Sequence, residues 1–290
     1  MEKMYGIEYS KPQVILLQDT GIGVAEFAAR TCYDSFDASE NQSVKDLKNL
    51  VESDFVEQED LDKLNSIGHS NLLNDLAHTY FHHSILEHAN LSFLIKGTSR
   101  GVLQEHARHR IQAISVRSTR YTMSGIINAF VASVANDGEL SNKRSSQDEF
   151  VKIMSTYDMF VTQDKKYNEI QIRDIFNKLL FQLESIGSDE FKSIAVSKSS
   201  LDFVNGTEAT AIKFDLLQSG KKKRNVGDAF KHVVSDNWKV DMVVTFNIRS
   251  LKNYFDLRDS GAAFFQIQWL AKEMKAVTPS KYLDLITKRK

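Results

Sequence analysis

The sequence predicts a mixed α+β fold, because helices and strands are interspersed without the regular strand–helix–strand rhythm of a doubly wound sheet. Residues 13–17 and 239–248 are rich in aliphatic and β-branched side chains, which favours strands. Residues 22–34 repeat their apolar positions at steps of three and four, which indicates an amphipathic helix. Only two prolines, Pro12 and Pro279, interrupt the chain, and this suits a helix-rich protein.

The remaining elements follow from the same two periodicities. Further helices are predicted over residues 70–83, 98–112, 150–186, 208–219 and 250–275, with a break in the last near Gly261. A strand is predicted over 89–96, one or two surface helices over 43–65, a strand or a helix over 126–133, and a polar exposed stretch over 137–149.

Length and composition describe an ordinary globular chain and exclude several classes of protein. The 290 residues are 42% hydrophobic and 26% charged, with a formal net charge of -1, so bulk charge does not favour a polyanion binder. We expect no membrane association, because no apolar run is long enough to cross a bilayer. The N-terminus lacks the apolar core of a signal peptide, and the single cysteine excludes a disulfide within the chain. A cytoplasmic location and a single domain over 1–290 are therefore expected.

The densest group of chemically active side chains lies between His82 and Tyr121. Arg108, Arg110 and Arg120 alternate there with Ser118, and planar guanidinium groups match a phosphate bidentately while a serine hydroxyl adds a neutral donor. On a helix, Glu105 would meet both Arg108 and His109. The sequence therefore predicts an oxyanion site in this segment, although a basic run on a helix is more often a solvated face.

Three other interpretations remain open at this point. The histidines of His82-His83-Ser84-Ile85-Leu86-Glu87-His88 could form a metal site, but their spacing matches no standard zinc pattern, so we predict no metal. The basic run Lys221–Arg224, together with the arginines, could bind nucleic acid, but no known binding module is present. Cys32 is interpreted as a buried small hydrophobe, because no base or cation adjoins it to activate a nucleophile.

The segment Arg108-His109-Arg110, seven residues and then Ser118 resembles the RHR-x7-S signature of the flavin-dependent thymidylate synthases. Other blocks agree in order and spacing: Ala29-Arg30-Thr31-Cys32-Tyr33, the segment His82–His88, and Asn247-Ile248-Arg249 followed by Asn253 and Leu257-Arg258. The match covers about 13–35, 78–125 and 222–280. The stretch near 126–210 has no counterpart and is predicted to be an insertion.

The resemblance implies a fold, a reaction and an assembly. It implies a twisted antiparallel sheet flanked by helices, of the thymidylate synthase-complementing type, in a homotetramer whose active sites draw on several subunits. It implies reductive methylation of dUMP to dTMP, with methylenetetrahydrofolate as carbon donor and with FAD, reduced by NADPH, as hydride donor. A catalytically degenerate flavin- or nucleotide-binding relative is the alternative within the family.

The resemblance also assigns residues to the two ligands. For FAD the matching positions are His82, Ser84, Glu87, Arg108, His109, Arg110, Ile111, Asn247, Arg249, Asn253 and Leu257. For dUMP they are Glu105, Arg108, Ser118, Arg120, Lys231 and Arg258. Arg258 is expected to face the uracil ring, where a cation stabilises negative charge. Ser118 is expected to bind rather than attack, because it lacks an adjacent base.

Four positions depart from the family pattern. Position 105 is Glu where many members have Gln, and position 231 is Lys where others have Arg, so a point charge replaces a planar fork. Val116 and Arg117 stand where an acidic residue often occurs. These departures predict changes in the polar contacts to the nucleotide.

Overall fold

The computed structural model describes residues 1–135, 144–185 and 230–287. The strands in those ranges are β1 Glu2–Met4, β2 Ile7–Tyr9, β3 Gln13–Asp19, β4 Asn90–Ser99, β5 Ala113–Val116 and β6 Lys239–Asn247. The α-helices are α1 Gly23–Tyr33, α2 Gln42–Asp46, α3 Asn49–Glu52, α4 Gln58–Ser66, α5 Asn71–His78, α6 Arg100–His106, α7 Thr119–Ala135, α8 Arg144–Met154, α9 Lys165–Ser185, α10 Ile248–Arg258, α11 Phe265–Val277 and α12 Ser280–Ile286. Short 3₁₀ helices occupy Phe36–Ala38, His83–His88 and Lys231–Val233.

The chain divides into two compact units. The sheet unit comprises Lys11–Val116 and Val240–Lys290. The helical unit comprises Met1–Ser10 and Arg117–Lys239. The number of domains and the insertion near 126–210 stay predictions, since the described part of that stretch consists of helical-unit residues only.

A four-stranded antiparallel sheet in the order β3-β4-β6-β5 forms the centre of the sheet unit, and it confirms the predicted α+β fold. The central strands are linked by the hydroxyls of Ser92 and Thr245, which lie 2.8 Å apart. Alternate residues of β6, such as Met242, Val244 and Phe246, are buried on one face. This period of two is the pattern of a strand with one face towards a core.

Helices cover the buried face of this sheet. Leu251 and Tyr254 of α10 and Leu270 and Met274 of α11 join the apolar residues of β4 and β6 in one continuous core. Burial of this apolar surface stabilises the unit.

Each central strand runs directly into a helix through a polar capping residue. Ser99 ends β4, and its hydroxyl accepts a hydrogen bond from Val102 N at 3.1 Å, which starts α6. Asn247 ends β6, and its side-chain oxygen accepts from Ser250 N at 2.8 Å, which starts α10. Such caps satisfy the free N–H groups of the first helical turn. The two caps set where α6 and α10 begin, and therefore where Arg108 and Arg258 are placed.

Helices α7, α8 and α9 form the centre of the helical unit. The rings of Phe130, Phe150 and Phe176, one from each helix, lie 5.0–6.2 Å apart between centroids, in tilted and edge-on arrangements. These spacings are favourable for aromatic pairs. The three helices therefore share an aromatic core of their own.

The N-terminal hairpin belongs to the same unit. Strands β1 and β2 are joined by Tyr5 and Gly6, which both have positive φ (51° and 85°), as a type I′ turn requires. Tyr9 then forms an isolated antiparallel bridge with Thr162. The hairpin is thereby attached to the segment that precedes α9.

Most predicted elements are confirmed, and the errors lie at their ends. The strands at 13–17, 89–96 and 239–248 are present, and residues 126–133 are helical within α7. The helix predicted over 98–112 ends at His106, because the backbone turns at Ala107 and β5 begins at Ala113. The predicted helix 250–275 is two helices, with its break around Gly261 as expected.

Other predictions need correction. Residues 43–65 form three short helices rather than one or two, and the helix predicted over 70–83 ends at His78. The described part of the predicted helix 150–186 belongs to two helices separated by an extended segment. The polar stretch 137–149 includes the start of α8 at Arg144. The predicted helix 208–219 and the basic run 221–224 lie outside the described residues.

Cys32 is exposed, so its interpretation as a buried hydrophobe was wrong. It lies in the last turn of α1, where Thr31 and Tyr33 are also exposed and the chain reverses at Asp34 with a φ of 45°. The buried stripe of α1 stops at Arg30, because the helix end extends past the core. Among the described helices, none combines the length and the hydropathy that crossing a bilayer requires.

Candidate functional site

A large open groove lies on the sheet unit between the end of α6 and the length of α10. Its volume is about 1240 Å³, above the usual range for a small-ligand pocket. It is lined by Phe81, His83, Arg108, His109, Arg110, Ile111, Arg249, Ser250, Lys252, Asn253, Asp256, Leu257, Arg258, Ser260, Ala262 and Ala263. The groove thus unites the Arg-His-Arg segment with the block that follows Asn247.

The lining is strongly cationic with apolar side chains exposed between the charges. It carries four arginines and Lys252 against one carboxylate, Asp256, which Lys252 contacts at 3.1 Å. Phe81, Ile111 and Leu257 are 67%, 68% and 52% exposed, which is unusual for large apolar residues. A surface of this kind can hold a ligand that combines anionic groups with flat apolar rings.

Arg258, the last residue of α10, is held by three hydrogen bonds to the α6 end. Its Nη1 donates to Glu105 Oε2 at 2.8 Å and its Nη2 to the Glu105 carbonyl at 3.1 Å. Its Nε donates to His109 Nε2 at 2.8 Å. The Arg258 side chain is only 14% exposed, so its guanidinium is held in one orientation beside the groove. We call Glu105, His109 and Arg258 the arginine clamp.

Burial and neighbouring charge keep His109 neutral. Its desolvation, together with Arg258 and Arg108, lowers its pKa to about 4 although Glu105 acts in the opposite direction. Because arginine does not give up its proton, Nε2 of His109 must be the acceptor in the contact with Arg258, and Nδ1 carries the ring proton. The arginine clamp is therefore intact at neutral pH.

Two fully buried rings lie beneath the clamp. Tyr254 contacts the His109 ring edge-on at 4.7 Å and its hydroxyl lies 3.0 Å from His106 Nδ1. Burial raises the pKa of Tyr254 and lowers that of His106 to about 3, so the phenol donates and the imidazole accepts. Nε2 of His106 then bears a proton, and the neighbouring side chain of Gln112 partly offsets the effect of burial on the His106 pKa.

Only some of the residues predicted to bind FAD line the groove. Arg108, His109, Arg110, Ile111, Arg249, Asn253 and Leu257 line the groove, and His82, Ser84, Glu87 and Asn247 do not. Glu87 instead forms an ion pair with Arg249 at 2.5 Å. Asn247 caps α10, and His82 Nδ1 lies 3.0 Å from the hydroxyl of Tyr33.

The residues predicted to bind dUMP lie in both units. Arg108 and Arg258 line the groove, and Glu105 contacts both of them, at 3.5 Å and 2.8 Å. Ser118 is half-buried just before α7, and Lys231 is exposed in its 3₁₀ helix. Arg120 lies in the first turn of α7. These last three belong to the helical unit and stay predicted ligands.

Sequence reasoning missed three residues of this site. Tyr254 packs against His109 of the clamp, and His106 contacts Tyr254. In the sequence, each is indistinguishable from an ordinary core residue of a helix. Phe81 lines the groove with a φ of 56°, which is strained for a bulky side chain and has no signal in the sequence. Within the described residues, no three His, Cys, Asp or Glu side chains are placed to hold a metal ion.

Sequence comparison identifies relatives over most of the chain. The model of one family, described as thymidylate synthase complementing protein, matches residues 15–280. The flavin-dependent thymidylate synthase of Campylobacter jejuni strain RM1221 is 25% identical over 270 residues, which cover 93% of each chain. The enzyme of the same name from Helicobacter pylori strain J99 is 27% identical over 270 residues, covering 93% of this chain and 95% of its own length.

Solved structures agree at the level of the fold. A crystal structure of thymidylate synthase X from Helicobacter pylori with FAD and dUMP has a TM-score of 0.55 and 23% identity, and covers 95% of this chain and 97% of its own. A second structure of that protein with both molecules has a TM-score of 0.54 at 24% identity. Since the family match extends over residues 15–280 of 290, the chain belongs to the family of thymidylate synthase complementing proteins.

Proposed function

We propose that this chain is a flavin-dependent thymidylate synthase, which methylates dUMP reductively to dTMP. The observation that carries the proposal is the groove, in which Arg108, Arg110 and Arg249 surround apolar positions beside the fixed guanidinium of Arg258. Family membership and relatives that bear this name support it. The binding roles of individual residues are part of the proposal.

The residues of the groove fit a flavin dinucleotide. A volume of about 1240 Å³ leaves room for a ligand larger than a mononucleotide. Arg108, Arg110 and Arg249 would hold its diphosphate, because guanidinium groups pair bidentately with phosphate oxygens. Ile111 and Leu257, exposed at the groove, would cover the flat ring and keep water from it. Bound there, FAD reduced by NADPH supplies the hydride of the reaction.

The arginine clamp supplies the electrostatic part of the reaction. When C5 of the uracil becomes a nucleophile, negative charge develops on the pyrimidine. A guanidinium that is already oriented stabilises this charge without reorganising at the moment of reaction. Arg258 would act in this way, since its side chain is nearly buried and bound by three hydrogen bonds. Neutral His109 holds its own proton at Nδ1 throughout.

The position of the only cysteine argues against the alternative chemistry. A thymidylate synthase that does not use flavin attacks uracil C6 with a thiolate, and thiolates need a cationic or basic environment. Cys32 is the single cysteine of the chain and lies at the end of α1, outside the residues that line the groove. The chain therefore lacks a thiol in the place that the thiolate route requires.

Three further parts of the proposal rest on the resemblance. Methylenetetrahydrofolate donates the carbon, NADPH is the reductant, and the active form is a homotetramer. For dUMP we propose Ser118, Arg120 and Lys231 as additional ligands. Light scattering on the purified protein checks the tetramer, and a monomer would contradict it.

The reaction is tested by release of tritium from dUMP labelled at C5. Purified protein is assayed with FAD, NADPH and methylenetetrahydrofolate, and each is omitted in turn. We expect release that requires both NADPH and flavin. Folded, flavin-loaded protein that releases no tritium would refute the synthase and favour a catalytically degenerate relative. Protein that purifies without flavin and binds nucleic acid would favour the binding-protein interpretation.

A further inference from the structure

We infer that Glu105 and His109 are positioning residues, which act on the nucleotide through Arg258 and do not contact it. The inference rests on the proposed function, because it assigns roles within the same site. It replaces the expected role of Glu105 as a direct dUMP ligand. The chain has Glu at a position where Gln is common in the family, and the structure shows what a carboxylate does there.

Three of the five N–H donors of Arg258 are used within the clamp. A guanidinium has five N–H donors, and Arg258 directs Nε–H, one Nη1–H and one Nη2–H to residues 105 and 109. These partners lie 149–153 residues away in sequence, so the contact exists only in the folded sheet unit. Two N–H groups remain for a ligand. Holding them in one orientation before the substrate binds removes an entropic cost from the reaction.

Each carboxylate oxygen of Glu105 lies next to an arginine. Oε2 accepts from Arg258 Nη1 at 2.8 Å, and Oε1 lies 3.5 Å from Arg108 Nη1. A direct contact with dUMP would compete with these charge-assisted interactions, and the carboxylate would repel the nucleotide's phosphate. Glu105 is therefore better suited to orient Arg258 than to bind the nucleotide.

His109 completes the clamp because it stays a neutral acceptor. The groups facing it are Arg258, Arg108 and Glu105 at the groove and the rings of Tyr254 and His106 beneath. Arg258 is the charged group in direct contact with His109, and a proton on Nε2 would meet the Nε–H of Arg258 at 2.8 Å. Nδ1 is therefore the protonated nitrogen, and this tautomer can be observed directly.

The first experiment is a double-mutant cycle on tritium release. Glu105→Ala and Glu105→Gln are made in the wild-type chain and in Arg258→Lys. We expect Glu105→Ala to lower kcat about 10- to 100-fold, the effect of a slightly misplaced group, with KM for dUMP changed less than about threefold. Glu105→Gln should restore most of kcat, because its amide oxygen accepts from Nη1. In Arg258→Lys, Glu105→Ala should lower kcat less than about threefold, because the interacting group is already altered.

Two results would overturn the inference. A Glu105→Ala variant with unchanged kcat and a tenfold higher KM would make Glu105 a direct ligand. A loss of the same size in the Arg258→Lys background would show that Glu105 acts independently of Arg258. The matched control is Glu169→Ala, which removes a carboxylate 2.9 Å from Arg173 in the helical unit. Circular dichroism confirms that each variant is folded.

The second experiment needs neither flavin nor activity. Nitrogen-15 NMR of labelled histidine side chains reports the tautomer of each of the eight histidines, and His109→Gln assigns the resonance. We expect a neutral ring with its proton on Nδ1 down to about pH 5. A proton on Nε2, or titration near the ordinary value, would refute the clamp. An inactive protein that shows the expected tautomer would refute the proposed function and leave the clamp standing.

Discussion

Two Glu–Arg ion pairs in the sheet unit have the same chemical groups but different surroundings. Glu26 and Arg30 are one turn apart on α1, only 2% and 8% exposed, and joined at 2.8 Å. Glu105 and Arg258 are 153 residues apart and also joined at 2.8 Å, but the Glu105 side chain is 33% exposed and Arg258 lines the groove. The first pair is nearly buried, at the edge of a smaller cavity of about 420 Å³, and the second lies at the large groove. We call them the closed pair and the open pair.

The difference lies in where the two pairs make their further contacts. The second oxygen of Glu26 accepts from the Ser70 hydroxyl, and Arg30 Nη1 donates to the Ser35 carbonyl at 2.9 Å. These contacts fix α1 against the start of α5. The Glu26–Arg30 pair links parts of the fold, whereas the Arg258 guanidinium lies beside a groove large enough for a ligand.

The largest effect is expected from opening the closed pair. Glu26→Ala leaves a buried arginine without its carboxylate, and breaking a buried pair in this way costs about 3–5 kcal/mol of unfolding free energy. Chemical denaturation followed by circular dichroism measures the loss. The double variant Glu26→Leu, Arg30→Met is the control, because it removes both charges and should recover much of the stability. Equal losses in both would mean that packing, and not charge, governs the site.

Removing the open pair should affect catalysis instead of stability. Arg258→Ala deletes the oriented cation and should lower kcat for dUMP by about 10²–10³-fold, the range for loss of one preorganised donor. Tritium release measures the rate, and denaturation checks the fold. Arg258→Ala with normal turnover would remove Arg258 from the mechanism. An unfolding loss as large as that of Glu26→Ala would erase the distinction between the two pairs.

The sequence predicts the contact between Glu26 and Arg30 far better than the contact between Glu105 and Arg258. Residues 26 and 30 share a face of any helix, so their contact follows from the helical period alone. The contact between residues 105 and 258 requires β4 and β6 to be adjacent and α6 and α10 to end side by side, which is tertiary information. The family motif nevertheless places Arg108, Arg110 and Arg249 at one site, because it records the outcome of that folding.

The errors have the same origin. The helix predicted over 98–112 was too long, and Cys32 was wrongly predicted to be buried. Both errors arose because the helical periodicity was extended beyond the residue at which the backbone turns and the helix ends. Phe81 lies outside the motif blocks, and Tyr254 lies within one but was assigned no role, since a strained backbone and a ring beneath a histidine are visible only in three dimensions. Periodicity therefore predicts which elements exist, and tertiary contacts determine where they stop and what they bring together.

The two regions should respond to pH with opposite signs. The pKa of His109 is lowered to about 4 by burial and by its arginine neighbours. As pH falls below about 6.5, the unfolded state takes up the proton first, so stability that is present above that value is lost as pH falls towards about 4. Burial raises the pKa of Glu26 despite Arg30, so its contribution is present below the unfolded value and lost as pH rises.

Denaturation at pH 7 and pH 5 separates the two contributions. The stability difference between the wild type and His109→Gln should shift in favour of the variant on acidification. The difference between the wild type and Glu26→Gln should shift in favour of the wild type. A shift of the same sign in both would show that one of the two directions is wrong.

The smallest effect on stability is expected at Phe81, a groove residue whose backbone has a positive φ, unlike the residues of the closed pair. Tyr80 N and His82 N are bonded to Asp75 O and Leu76 O at 2.9 Å and 2.8 Å, which holds Phe81 at its positive φ. Phe81→Gly removes the strain and should raise the unfolding free energy by about 0.5–1 kcal/mol. The same change should weaken FAD binding about 3- to 10-fold, because an exposed ring that could stack on the flavin is lost.

Two further variants separate strain from stacking. Phe81→Asn tolerates the positive φ without a ring, so it should share both effects of Phe81→Gly. Phe81→Tyr keeps the ring and should change neither. Flavin fluorescence titration and thermal unfolding measure the two quantities on the same samples. A glycine variant with unchanged FAD affinity would make Phe81 a surface residue, and one with no gain in stability would show that its backbone conformation carries no strain that glycine relieves.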